Sequence, residues 1–182
     1  FLGEKKIKSF IISNGGKMLN NLNHKMVNHI KMPVHKKNFI LMPITSKKLS
    51  KIIKEKKIDI VHVRSRAPAW VLYFILNKSF RTISTFHNVY GAQNFLKKNY
   101  NKSLGAVDEI VAISEYVKSS IIKIYKINKN KIVTINRGID TKVFDPKTIN
   151  KKAISNFVNK YNIKNDKKII LFPGRLTQWK GQ

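Results

Sequence analysis

Short, continuous apolar runs alternate along the chain with longer stretches whose apolar positions recur three and four residues apart. Uninterrupted apolar runs of about four to eight residues suit strands buried on both faces, and the intervening period is that of amphipathic helices. Strands are predicted over 7–13, 29–32, 58–63, 81–86, 109–113, 131–135 and 168–172. Helices are predicted over 17–27, 44–57, 67–77, 92–104, 115–125 and 148–161. In 44–57, Leu49, Ile52 and Ile53 set the helical spacing and lysines take the other face. Asn14-Gly15-Gly16 reads as a turn and Pro33 as a stop, while Ser114 is placed to cap the helix after it or to face a ligand. Residues 136–146 read as an irregular loop. Strands alternating with helices predict an α/β domain with a Rossmann-like, doubly wound parallel sheet.

In such a sheet, ligands bind beyond the carboxyl ends of the strands. The residues to inspect are therefore Arg64-Ser65-Arg66, His87-Asn88, Ser114, Arg137-Gly138 and Gly174-Arg175. Lys and Arg number 37, but only five are arginine (Arg64, Arg66, Arg81, Arg137 and Arg175), and four of those five lie in these segments. In a chain that draws its positive charge from lysine, this placement points to geometry, because arginine offers a planar two-pronged fork. His62 falls within a strand expected to be buried and reads as structural.

The net charge is +28, from 37 basic and 9 acidic residues. Such a field favours anionic partners, nucleic acid among them, or an anionic membrane surface. Lys, Asn and Ile share A/T-rich codons, so genome composition can produce much of this bias. The lysines are dispersed rather than gathered on one face with interleaved aromatics, which argues against a nucleic-acid-binding protein; that class nevertheless stands as the alternative on charge alone. With 42% hydrophobic and 10% aromatic residues, 182 residues can bury one good core, which excludes a disordered chain. The absence of cysteine excludes a disulfide scaffold and is compatible with a reducing compartment. No run approaches the ~20 apolar residues of a membrane span. The start at Phe1 and the stop at Gln182, just past a glycine, read as cuts through a larger protein.

The sharpest local signal is Leu171-Phe172-Pro173-Gly174-Arg175-Leu176-Thr177-Gln178-Trp179-Lys180-Gly181. An apolar run leads into a glycine turn that carries Arg175 and Lys180, a pairing suited to a diphosphate or equally to a basic surface turn. Gly-Arg-Leu-x-x-x-Lys-Gly after an apolar strand resembles the nucleotide-sugar loop of the GT4 glycosyltransferases, which have the two-domain GT-B fold. Ile58-Asp59-Ile60-Val61-His62, Thr85-Phe86-His87, Val107-Asp108-Glu109-Ile110-Val111-Ala112-Ile113-Ser114 and Arg137-Gly138-Ile139-Asp140 with Phe144 and Pro146 are similar to further motifs of that family, in its order.

The resemblance implies an amino-terminal, acceptor-side Rossmann-like domain over 1–145 that lacks its first strand and glycine-rich loop, and the start of the carboxyl domain over 146–182. It implies a retaining hexosyltransferase that uses a nucleoside-diphosphate sugar as co-substrate, needs no further cofactor and works without a catalytic metal. Arg175, Lys180 and Gly174 then take the donor diphosphate, and His87 is the catalytic candidate near the transferred sugar. Arg64, Ser65, Arg66 and Gly91 are the acceptor-side candidates. Arg137 stands where the family more usually has Asn, and Gly138 and Asp140 shape the interdomain loop. A Glu-x7-Glu pair expected beyond Gln182 would hold the donor sugar and ribose, and without it the fragment is expected to be inactive alone. The acceptor is expected to be a glycolipid, lipopolysaccharide or polysaccharide. The protein is expected to be cytoplasmic and bacterial, with lysine-rich helices such as 46–57 resting on the inner membrane face. A sugar-nucleotide enzyme of another reaction type in the same cleft is the remaining alternative.

Overall fold

The computed structural model describes residues 7–76, 78–91, 93–164, 166 and 168–181. Residues group into two compact units, Phe1–Arg137 and Gly138–Gln182. In the first, β1 (Ser9–Ser13) pairs in parallel with β2 (Val27–Lys31). Four further strands, β3 (Ile60–Val63), β4 (Arg81–Phe86), β5 (Glu109–Ala112) and β6 (Ile132–Thr134), form an all-parallel sheet in that order. Helices α1 (Met42–Glu55), α2 (Arg66–Tyr73), α3 (Phe95–Lys102) and α4 (Glu115–Tyr125) connect them. The parallel α/β class is thus the one expected, although its strands fall into a pair and a four-stranded sheet among the described residues.

The core follows from the periodicities. Strands β4 and β5 lie inside the sheet, so Phe86, Ile110 and Ala112 are fully buried. They meet Val117, Ile121 and Tyr125, the stripe at four-residue spacing on α4. The Ser114 side chain accepts from the Val117 amide at 3.2 Å and starts α4, which ends on Lys126 in the left-handed region. At the amino end of the sheet, Asp108 accepts from the Thr82 amide (2.7 Å) and hydroxyl (2.8 Å), tying β4 to β5. Those two bonds hold the Asp108 carboxyl below its usual range, against the opposing effect of burial.

Three expectations are corrected. Residues 17–27 form only a short 3-10 helix, Lys17–Asn21, because Met18 finds no core and stays exposed. Among the described residues strand β3 is the edge of its sheet rather than a buried strand, so Ile60 is exposed and His62 is only partly covered. Residues 168–172 are not a strand, since no neighbouring extended segment bonds to them among the described residues. The second unit instead contains α5 (Lys151–Lys160), capped by Asn150, and a 3-10 turn at Gln178–Lys180. Asn77 and Ala92, expected ends of two helices, lie outside the described residues. Asn14-Gly15-Gly16 is a turn in which both glycines take positive φ, 98° and 131°.

Candidate functional site

Strand register builds the site. Val63 pairs with Ser84, and His62 with Ile83, so side chains at alternate positions of β3 and β4 share a face. Two rungs with one offset follow: the His62 ring lies 2.8 Å from the Thr85 hydroxyl, and Arg64 Nε donates to His87 Nε2 at 3.3 Å. Farther across the sheet, the Ile135 amide still bonds to the Ala112 carbonyl (2.9 Å), extending the path of β6. Two residues on, Arg137 Nη2 reaches His87 Nδ1 at 3.0 Å. His87 thus stands at the carboxyl end of β4 with a guanidinium at each ring nitrogen, where an α/β sheet places its ligands.

The electrostatics follow. A neutral imidazole carries one acceptor nitrogen and one N–H, so it can accept from only one of the two arginines. Partial burial first, and then Arg64, Arg137 and His62, hold His87 below the ordinary imidazole range and favour the neutral ring. His62 is lowered in the same way, by burial and by Arg64. Among the described residues neither Arg64 nor Arg137 has a carboxylate at ion-pair distance, whereas Arg81 has Glu109 at 3.5 Å.

Arg66 is held in a different set. Its guanidinium lies 4.5 Å from the centre of the Tyr90 ring and donates to Asn101 Oδ1 at 2.7 Å. Asn101, fully buried, donates in turn to the Gly91 carbonyl at 2.7 Å, so Arg66 and Gly91 meet through one amide. The φ of Gly91 is not in the glycine-favouring region, and an added Cβ would meet only the flexible Gln93 side chain. Ser65 precedes α2 with no capping bond from its side chain. Beside this bracket lies an open hollow of about 780 Å³ with a wall of Phe39, Trp70 and Tyr100 and a rim that includes Lys37 and Lys97. The Tyr100 hydroxyl is buried without a hydrogen-bond partner among the described residues, and burial raises its pKa.

Gly174, Arg175 and Lys180 belong to the other unit and are exposed there. The Lys180 amide bonds to the Thr177 carbonyl at 2.8 Å and closes the loop into its 3-10 turn. Asp140 spends Oδ1 on the Lys142 amide at 2.9 Å, shaping the turn after Arg137. The structure therefore joins Arg64 to His87, joins Arg66 to Gly91, and adds Arg137 to the first pair. The signal for Arg137 was present in the sequence: it is an arginine just beyond a strand in a lysine-rich chain.

Residues 2–143 match the model of Glycosyltransferase Family 4. The chain belongs to that family. The crystal structure of a glycosyltransferase from Rickettsia africae ESF-5 superposes with a TM-score of 0.81 at 36% identity, over 99% of this chain and 48% of that one. Spore coat protein SA of Bacillus subtilis is 26% identical over 133 residues, which are 71% of this chain and 35% of that protein. YtcC of the same strain is 26% identical over 132 residues, 32% of its length. This family 4 chain therefore spans about a third of the curated relatives it matches and about half of the solved glycosyltransferase.

Proposed function

We propose that this family 4 chain is the acceptor-side half of a retaining glycosyltransferase that moves a hexose from a nucleoside-diphosphate sugar to an acceptor hydroxyl. The observation that carries the reading is His87 at the carboxyl end of β4, flanked at its two ring nitrogens by Arg64 and Arg137, which with partial burial favour its neutral form. A neutral imidazole can hydrogen-bond a sugar hydroxyl without adding a third positive charge beside the anomeric centre. Arg175 and Lys180, on the turn begun by Gly174, hold the donor diphosphate and stabilise it as it leaves, where negative charge grows. With retention, the acceptor attacks on the face the leaving group departs from, and the departing phosphate takes the acceptor proton.

The acceptor side comprises Arg64, Ser65, Arg66 and Gly91. The aromatic wall of Phe39, Trp70 and Tyr100 suits a sugar ring or a lipid, which supports a glycolipid, lipopolysaccharide or polysaccharide acceptor. The exposed lysines of α1 suit peripheral contact with an anionic inner leaflet, at about 1 kcal/mol per lysine near the surface. No described helix is long and apolar enough to cross a membrane. The test is a screen of nucleoside-diphosphate sugars with the full-length protein and membrane extract, following nucleotide release and the anomeric configuration of the product by NMR. A glycoside with the donor's configuration is expected. An inverted product, or an isomerised or hydrolysed donor without transfer, would contradict the reading.

A further inference from the structure

We infer that Arg64 and Arg137 form a two-guanidinium seat for an anionic group, phosphate or carboxylate, carried by the acceptor and bound beside His87. The inference names the acceptor class of the site proposed above and rests on that reading for the word acceptor; the seat itself can be tested without any transfer.

Neither Arg64 nor Arg137 has a carboxylate partner at ion-pair distance among the described residues. Each is exposed, each is anchored at the end of its own strand, and each directs one donor at His87. A guanidinium offers five N–H donors, and the only side-chain acceptor these two find among the described residues is one imidazole able to accept from just one of them. Two guanidinium groups held at one imidazole repel each other, an anion bound to both offsets that repulsion, and a planar fork matches the oxygens of phosphate or carboxylate. The other described arginines of this unit are already satisfied: Arg81 by Glu109, Arg66 by Asn101 and the Tyr90 ring. The donor diphosphate has its own cations in Arg175 and Lys180 in the separate second unit, so the seat is assigned to the other substrate.

The experiment titrates inorganic phosphate into the full chain carrying isotope-labelled histidine, with NMR reporting the ring of His87 against those of His24, His29, His35 and His62. The charged and titratable groups facing His87 are Arg64, Arg137 and His62, and an anion seated between the arginines offsets their effect on the ring. Saturable binding that raises the His87 pKa is expected, with no equivalent response at His24 or His35. Both Arg64→Gln and Arg137→Gln should weaken binding at least tenfold. Arg137→Lys separates a built seat from a general field, since it keeps the charge and removes the fork. Loss of binding in Arg137→Lys supports the seat; unchanged binding, or equal shifts at all five histidines, overturns it. A sugar phosphate and a hexuronate titrated in parallel show which anion the seat prefers. Phosphate binding by a protein that fails to transfer sugar would sink the transferase reading and leave the seat standing. Transfer without a His87 response would do the reverse.

Discussion

Two helices with similar apolar spacing behave differently. On α4, Val117, Ile121 and Tyr125 are buried against the sheet; Ile154 and Phe157 of α5, with Tyr161 just past its end, stay about half exposed. The same contrast separates β5, whose Ile110 is fully buried, from residues 169–172, where Ile170 is 95% exposed. Apolar pattern sets which elements a segment can form. Burial, and with it stability, depends on having a partner layer, since about 25 cal/mol per Å² is gained only for area actually removed from water.

The largest test of this contrast is one substitution made twice. Phe86→Ala should cost about 3–5 kcal/mol in urea unfolding, because it opens a cavity in a packed core. Phe157→Ala should cost less than about 0.5 kcal/mol, since the residue is 53% exposed and lies outside the buried core. Equal costs would show that α5 is as firmly packed as β4.

A smaller effect is expected at Asp108. Asp108→Asn loses the charged acceptor of the two Thr82 bonds and should destabilise by about 1–2 kcal/mol near neutral pH. Because the folded carboxyl titrates below its unfolded value, this contribution is complete above the unfolded pKa and is lost as pH falls through the lower folded one. The gap between wild type and variant should therefore close in acid; a pH-independent gap would count against the bond.

The smallest pair concerns caps. Ser114→Ala should cost about 1 kcal/mol of global stability. Asn150→Ala removes the matching cap, 2.8 Å from the Lys152 amide, yet should only fray α5 and leave the main transition in place. Circular dichroism alongside urea melts distinguishes the two.

The same contrast explains how much could be read from the sequence. Helix α4 and strand β4 were legible to the residue, because Ser114 caps one and a run of apolar and β-branched residues ending at His87 defines the other. Residues 168–172 were misread because apolar content indicates capacity for a strand, while a strand requires a bonded neighbour. The burial of His62 was overestimated because an edge position depends on strand order, which no local pattern encodes, while its contact with Thr85 fits the structural role expected. At the site, Arg64 and His87 were legible as strand-end residues. The Arg66–Asn101–Gly91 bracket was not, because Asn101 sits in the last turn of α3 with no local mark of its partners.

The central claim is that His87 works in transfer rather than in holding the sheet end together. The most direct test measures nucleotide release by the full-length enzyme and its His87→Ala variant, alongside the urea midpoint of each. The account predicts a loss of about 100-fold or more in kcat with the midpoint unchanged, as expected when a positioning contact at the reacting sugar is removed. An unaltered kcat, or a loss that tracks a fallen midpoint, would contradict it.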